Sequence, residues 1–285
     1  MSLTHKIDFA VIFSVKNANP NGDPLNGNRP RQNAEGYGEV SDVCLKRKIR
    51  NRLQDMGEEI FVQPDDNRKD DHRSLYARFE AAGAPTREMA CKKWFDVRAF
   101  GQVFAFKAKG KGKGKKKQED SDENDEDKNS VSVGIRGPVT IQSAFSVETL
   151  VPQDLQITRS VNLETNNPPE KRDSDTIGVK RRIDNGIYIT YGAINAQLAE
   201  KTGFSDEDAN KIKEALKTLF ENDASSARPE GSMEVLKVIW WAHKSRSGQF
   251  SSAKVHRSLS PNPDGTFGLA TLLTPDLEPQ IIDGT

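Results

Sequence analysis

Residues 17–32, NANPNGDPLNGNRPRQ, combine five asparagines, two glycines and one acid, with no serine or threonine. Such a stretch could offer backbone N–H groups and short amides to phosphate oxygens without steric bulk. Its carboxylate, Asp23, could position or deprotonate a ribose 2′-hydroxyl for attack on its own phosphate. Asp23 before Pro24 is also typical of a plain turn, which is the favoured interpretation of this residue.

A predicted strand precedes this loop and a predicted helix follows it. From residue 7 to residue 15, apolar side chains alternate with polar or small ones, which predicts a strand with one buried face. The segment 41–57 has Ser41 or Asp42 as N-cap and Gly57 as a C-terminal stop, which predicts a helix of about four turns. The loop therefore leads directly into a helix.

The predicted helix has an apolar stripe beside a basic flank. The stripe consists of Leu45, Ile49, Leu53 and Met56. At about 100° per residue these positions fall on one face, which must pack on the sheet. Lys46, Arg47 and Arg50 lie on the flank beyond the stripe, so we expect them to be free to face a ligand.

Further along the chain, short elements alternate with long insertions. Strands are predicted at 94–106, 137–147, 186–194 and 233–245, and helices near 74–82 and from Ser205 onward with a stripe of Ile212, Leu216 and Leu219. The order β, α, β, β, then β, α, β is typical of an α+β, ferredoxin-like or RNA-recognition-motif core. We expect one decorated domain over residues 1–285.

The segment 107–130 is a low-complexity insertion. Its eight lysines are nearly matched by seven acidic residues. A self-neutralising loop of this kind is more typical of disorder than of a nucleic-acid-binding arm.

Several function classes find no support in the sequence. The two cysteines and four scattered histidines have no metal-ligand spacing, no nucleophile motif is present, and no cofactor is expected. The apolar run at 1–15 is interrupted by polar and charged residues, so it predicts neither a signal peptide nor a membrane span. We expect a cytoplasmic protein without a membrane partner.

Charge is balanced overall but unevenly distributed. Lysine plus arginine and aspartate plus glutamate both number 42, whereas residues 29–52 hold seven basic and three acidic residues. Residues 243–257 hold Lys244, Arg246, Lys254 and Arg257 with no acid. Phe250, between two of these cations, could stack on a base, although a lone phenylalanine is more often part of a core. Both stretches are candidates for phosphate contact.

Six motifs in chain order indicate a known family. They are NPNGDP, SDVCLKRKIRN, WFDVRAFG, GIRGPV, QITRSVN and DSDTIGVKRRIDNGIYITYG. Together they resemble the crRNA-binding backbone subunit of the type I-C CRISPR surveillance complex, Cascade, from residue 6 to about residue 245. The lysine and acid block at 107–130 departs from the family pattern.

The resemblance implies a right-hand-shaped protein. An RNA-recognition-motif palm would carry an RNA-facing loop at 16–40, a helical finger region at 57–93 and a thumb hairpin at 158–182. Several copies would polymerise along one crRNA, grip its ribose-phosphate backbone, and leave the bases between thumbs exposed for pairing with a target DNA strand. Other Cascade subunits, namely the guide-processing, large and small subunits, would be partners.

The resemblance also implies a set of RNA-binding residues. The palm set comprises Asn19, Asn21, Gly22, Ser41, Lys46, Arg47 and Arg50. Arg159 and Lys180 would lie at the base of the thumb, and Arg136 would either reach another phosphate or be a surface arginine. No catalytic residue is implied. The alternative is a ribonuclease resembling type III backbone subunits, which would cut RNA through Asp23.

Overall fold

The computed structural model describes residues 2–107, 130–158, 177–270 and 277–285. The strands are β1 (Ile7–Ala18), β2 (Gly22–Asp23), β3 (Arg29–Pro30), β4 (Tyr37–Val40), β5 (Gly101–Lys107), β6 (Ser130–Arg136), β7 (Val139–Ile141), β8 (Ala144–Thr149), β9 (Gln153–Thr158), β10 (Ile177–Ile194), β11 (Met233–Ala242), β12 (Leu259–Pro261), β13 (Phe267–Leu269) and β14 (Gln280–Asp283). The helices are α1 (Asp42–Asp55), α2 (Leu75–Ala81), α3 (Arg87–Lys93), α4 (Phe95–Phe100), α5 (Ala196–Thr202), α6 (Asp206–Lys217) and α7 (Ser252–Arg257), with a 3-10 turn at Pro24–Asn26.

A large antiparallel sheet organises the protein, so the fold is a mixed α/β arrangement of the predicted general class. Its strand order is β14-β11-β1-β10-β8-β4, and β7 and β9 also pair with β10. Central β1 pairs antiparallel with both long neighbours, placing Ile7 opposite Ile194 of β10 and opposite Ala242 of β11.

Strand β1 is buried on both faces, which corrects the prediction of a single buried face. Phe9, Val11 and Phe13 join the core beneath α1 and α6. Ala10 and Ile12 pack in a second core that includes Val255 of α7. Helices therefore cover both faces of the sheet, because a strand buried on both sides needs an apolar layer on each.

The predicted helices beginning at residues 41 and 205 are confirmed. Ser41 caps α1 by accepting a hydrogen bond from the Cys44 N–H at 3.3 Å. Leu45, Ile49 and Leu53 are buried as expected, whereas Met56 is the C-cap and lies 37% exposed. Helix α6 begins with a capping box, in which Ser205 and Asp208 satisfy each other's backbone N–H groups. Its predicted stripe at Ile212, Leu216 and Leu219 is buried.

Other elements differ from the sequence predictions. The predicted strand at 94–106 is helix α4 followed by strand β5, with a break at Gly101, which has a φ of 82°. The helical half exists because Phe95 packs edge-on against Phe204 and buried Asp96 bonds Arg50 of α1. The predicted strand at 137–147 is divided into β7 and β8, and the one at 186–194 is the last half of an 18-residue strand, β10.

Residues 57–107 and strand β6 build a separate small core. The short helix predicted near 74–82 is α2, with Ser74 as its N-cap. Phe61, Trp94 and Phe104 meet in this core, with ring centroids 4.6 Å apart for the first pair and 5.2 Å for Phe61 and Phe104. Most of the predicted insertion at 107–130 lies outside the described residues. Within the described ranges, no helix is long and apolar enough to span a membrane.

Candidate nucleic-acid interface

The first loop is tied to the start of α1 by Asn21. The side-chain oxygen of Asn21 accepts hydrogen bonds from the backbone N–H and the hydroxyl of Ser41, both at 2.9 Å. Ser41 in turn caps the helix. The structure therefore brings two predicted site residues together, and their mutual contact sets the direction in which the loop enters α1.

Asn19 and Gly22 shape the loop from within. Asn19 is only 3% exposed, and its amide donates to the Asn28 carbonyl at 2.7 Å. A side chain on Gly22 would overlap the amide of Asn28, which has a φ of 59°. The Asn19 side chain is thus committed to the protein, and in this conformation it is not accessible to a ligand.

Asp23 is held in a turn, which agrees with its favoured interpretation. Its carboxylate accepts a hydrogen bond from the Leu25 N–H at 3.2 Å and caps the 3-10 turn. The same oxygen lies 3.5 Å from an Arg31 nitrogen. These contacts use the carboxylate to close the loop.

The basic flank of α1 is not free, which corrects the sequence expectation. Arg50 pairs with Asp96 at 3.0 Å, and that carboxylate is buried. Arg47 donates to the Val62 carbonyl at 2.7 Å, and desolvation lowers the pKa of its guanidinium. Lys46 forms a half-exposed ion pair with Asp42 at 3.0 Å, so it is the flank cation least committed to the fold.

The loop docks on the base of the ribbon that β9 and β10 form. Asp154 of β9 pairs with both Arg29 of the loop and Arg181 of β10. Arg181 also donates to the carbonyl of Gly27. The sequence could not identify Asp154 as the joint, because it lies 125 residues from Arg29.

The three remaining predicted site residues do not share one location within the described part of the chain. Lys180 is half-buried opposite Leu155, and Arg136 is exposed at the end of β6. Neither makes an ion pair with a carboxylate in the described part of the chain. Arg159 falls outside the described residues, as does most of the predicted thumb at 158–182.

The ribbon carries exposed aliphatic side chains. Leu155, Ile157, Ile177 and Val179 are between 37% and 50% exposed. The register pairs Lys180 with Leu155 and Val179 with Gln156. Leu155 and Ile157 of β9 therefore lie on one face of the ribbon, and Ile177 and Val179 of β10 lie on the other. A ribbon with apolar side chains on both faces is suited to insertion between other groups.

Sequence reasoning missed two exposed apolar residues of the loop and α1. Leu25, in the 3-10 turn, is 98% exposed, and Val43, in the first turn of α1, is 70% exposed. Nothing in their types or spacing distinguishes them from core residues, so only the structure could reveal them. Within the described ranges, no group of three metal-ligating side chains occurs.

The polar loop, the capped helix α1 and the ribbon are joined through Asn21, Ser41 and Asp154. Comparison with known proteins assigns the family. The chain belongs to the family of the CRISPR-associated protein Cas7, whose family model matches residues 5–271.

Individual relatives and solved structures share low sequence identity with this chain. A CRISPR-associated protein Cas7 of Haloferax volcanii (strain DS2) is 26% identical over 251 residues, which are 84% of this chain and 71% of the relative. A chain of a CRISPR RNA-guided surveillance complex in a pre-nicking state is 12% identical, with a TM-score of 0.43 over 83% of this chain and 78% of that one. A chain of another such complex is 15% identical, with a TM-score of 0.44 over 83% and 68%.

Proposed function

We propose that this chain is the non-catalytic crRNA-binding backbone subunit of a type I-C Cascade complex. Copies polymerise along the guide RNA and present it for pairing with invading target DNA. The family match over residues 5–271 carries this proposal, because it spans the loop, α1 and both ribbon strands. The remaining partners are the guide-processing, large and small subunits.

The proposed RNA surface consists of the exposed side of the loop, α1 and the ribbon base. On this surface Lys46 and Lys180 contact phosphates, and Ser41 contributes at the start of α1. Arg136, at the end of β6, is proposed to reach another phosphate. Arg159 is proposed for the same role. Asn19, Asn21 and Gly22 preserve the loop shape, and Arg47 and Arg50 could contact RNA only by leaving their present partners. Phosphate contacts of this kind bind any guide sequence, as target recognition through base pairing requires.

The proposed function assigns a role to each segment of the chain. Residues 1–285 form one RNA-recognition-motif-like palm, 16–40 its RNA-facing loop, 57–93 a finger region and 158–182 a thumb. Exposed Ile177 and Val179 lie within the thumb, and exposed Leu155 and Ile157 of β9 directly precede it, which supports the assignment because a segment inserted between guide bases needs apolar surface.

The test is guide retention by the assembled complex. We expect Lys46→Glu combined with Lys180→Glu to abolish co-purification of guide RNA, because two phosphate contacts become repulsive. Arg87→Glu combined with Lys92→Glu, two exposed cations of α3, makes the same charge change elsewhere and should leave guide content unchanged. Equal guide content in both double variants would contradict the proposed surface.

We infer that Asp23 does not cleave RNA, since its carboxylate is engaged by the Leu25 N–H and by Arg31. Guide-loaded complex incubated with complementary RNA and Mg²⁺ should leave that RNA intact. Cleavage at regular intervals that disappears in Asp23→Asn would instead support the ribonuclease alternative.

A further inference from the structure

The basic stretch 243–257 lies on the opposite side of the sheet from α1. Helix α7 packs on Ala10 and Ile12 of β1 through Val255, whereas α1 packs on the other face of the same strand. Loop 243–251 and α7 therefore form a separate exterior surface. The proposed RNA surface does not use it.

Three cations of this surface are exposed and unneutralised. Lys244, Lys254 and Arg257 are exposed, and none makes an ion pair with a carboxylate of the described residues. The fourth cation of the stretch, Arg246, pairs with Glu200. Lys254 places its ammonium 4.4 Å from the ring centroid of half-buried Phe250. Phe250 also packs against the core beneath α7, so its ring supports Lys254 and is part of the core, the more usual role of a lone phenylalanine. Exposed cations without carboxylate partners are the groups that bind the phosphates of single strands.

The loop that presents these cations is rigidly built. His243 is buried, and its Nε2 lies 2.8 Å from a carboxylate oxygen of Asp8, which is fully buried in β1. The other ring nitrogen of His243, Nδ1, accepts a hydrogen bond from the Gln249 N–H at 2.9 Å, which leaves Nε2 to donate to Asp8.

Lys6 completes this anchor. Its ammonium lies 3.0 Å from the same Asp8 carboxylate and 3.1 Å from the Phe250 carbonyl. Burial raises the free energy of the charged carboxylate, but hydrogen bonds from His243, Ser252 and Lys6 outweigh it and hold the pKa of Asp8 below its usual value. The anchor therefore contains a buried negative charge that Lys6 and His243 engage through one carboxylate oxygen, while His256 Nε2 lies 3.7 Å from the other.

We propose that Lys244, Lys254 and Arg257, here called the α7 surface, bind the phosphates of a second nucleic-acid single strand. This inference rests on the proposed function for the source of that strand. When a guide pairs with one strand of a DNA duplex, the other strand is displaced and needs a basic surface away from the guide. The α7 surface has that charge and lies across the sheet from the guide-binding side.

The experiment uses guide-loaded complex and a fluorescent single-stranded DNA that is not complementary to the guide. Binding is followed by anisotropy across a salt series. In Lys244→Glu/Lys254→Glu/Arg257→Glu we expect affinity to fall at least about tenfold and the slope of log K against log salt to decrease by about 2, as loss of three phosphate contacts requires. The variant should retain normal guide content.

Matched variants separate this surface from general charge effects. Arg87→Glu/Lys92→Glu/Lys93→Glu on α3 makes an identical change of charge at exposed positions and should keep wild-type affinity for the single strand. Lys244→Arg/Lys254→Arg keeps the cations and should also bind normally. Thermal unfolding of all variants should coincide, because none of the substituted groups belongs to the buried anchor.

The proposal is overturned if wild-type complex fails to bind the non-complementary strand, or if the α7 triple variant binds it with unchanged affinity and salt slope. It is also overturned if that variant loses another protein subunit while its DNA affinity stays constant, since the surface would then be a protein interface. Guide missing from wild-type complex would count against the proposed function instead. Guide missing from the α7 variant alone would assign this surface to the guide.

Discussion

The two basic stretches, residues 29–52 and 243–257, are similar in sequence, but their cations have different surroundings in the structure. All seven cations of residues 29–52 make an ion pair or a hydrogen bond with the fold. Of the four lysine and arginine cations in residues 243–257, only Arg246 pairs with a carboxylate of the described residues, and the other three are exposed. A local excess of positive charge therefore does not predict a free basic surface.

The origin of the partners explains the difference. Lys48 pairs with Asp223, Arg50 with Asp96 and Arg52 with Glu221. None of these carboxylates lies in the stretch itself. Helix α1 packs between the sheet, α6 and the region around α4, so acids from distant segments surround it, whereas α7 lies on the exterior.

The largest expected effect is on the buried pair of the first stretch. Arg50→Ala leaves the Asp96 carboxylate buried without its cation, and we expect a loss of about 3–5 kcal/mol in the free energy of unfolding. Lys254→Ala, in the second stretch, should change it by less than about 0.5 kcal/mol. Urea unfolding of the two variants measures both values, and similar losses would remove the distinction between the stretches.

The anchor beneath the second stretch should show a characteristic pH dependence. Asp8→Asn removes the charge that Lys6 and His243 share, and we expect a loss of about 3 kcal/mol at pH 7. The pKa of Asp8 is lowered in the folded protein, so its stabilising contribution is present above about pH 4 and is lost as pH falls below that value.

Unfolding of wild type and Asp8→Asn should therefore be compared at pH 7 and at the lowest pH at which both fold. The two stabilities should converge on acidification. A constant difference across this range would show that Asp8 contributes through shape rather than charge.

A smaller effect is expected where the first loop joins α1. Asn21→Ala removes two hydrogen bonds to Ser41, and Ser41→Ala removes the helix cap, so each should cost about 1 kcal/mol. The two substitutions should be non-additive by about 0.5 kcal/mol or more, because they share one contact. A double-mutant cycle by thermal unfolding measures this coupling, and strict additivity would contradict a joined loop and cap.

The smallest effect on stability is expected at Lys46. Its pair with Asp42 is half-exposed at i and i+4, so Lys46→Gln should cost no more than about 0.5 kcal/mol. The same variant should weaken guide retention, measured as RNA per protein in purified complex. Asp42→Asn, which breaks the same ion pair and keeps the cation, is the control and should retain the guide.

Local signals predicted part of the fold correctly. The caps at Ser41 and Ser205 and the stripes that follow them located α1 and α6, because a helix start depends on contacts three or four residues away. The strand prediction for residues 94–106 was wrong in its first half, because that half depends on contacts with distant residues. The alternating apolar residues of this segment fit a strand, but packing of Phe95 on Phe204 and bonding of Asp96 to Arg50 favour a helix in its first half.

The sequence predicted which segments belong to the candidate site, but it did not predict which contacts their side chains make. The sequence indicated the loop, the helix behind it and the basic flank, and the joining of Asn21 to Ser41 agrees with their grouping. It did not indicate that Asn19 is buried or that Arg50 is paired. It also offered no sign of Asp154, which joins the loop to the ribbon.

The sequence by itself determined the family, the capped helices and the central strand, since each depends on ordered motifs or on neighbours along the chain. Only the tertiary structure decided which charges are neutralised. An ion pair such as Arg50 with Asp96 spans 46 residues and forms because two helices meet. Burying an unpaired charge costs free energy, so the cations that packing buries in α1 are paired with carboxylates or carbonyls. The cations around α7 face solvent, which imposes no such cost and leaves them available to a partner.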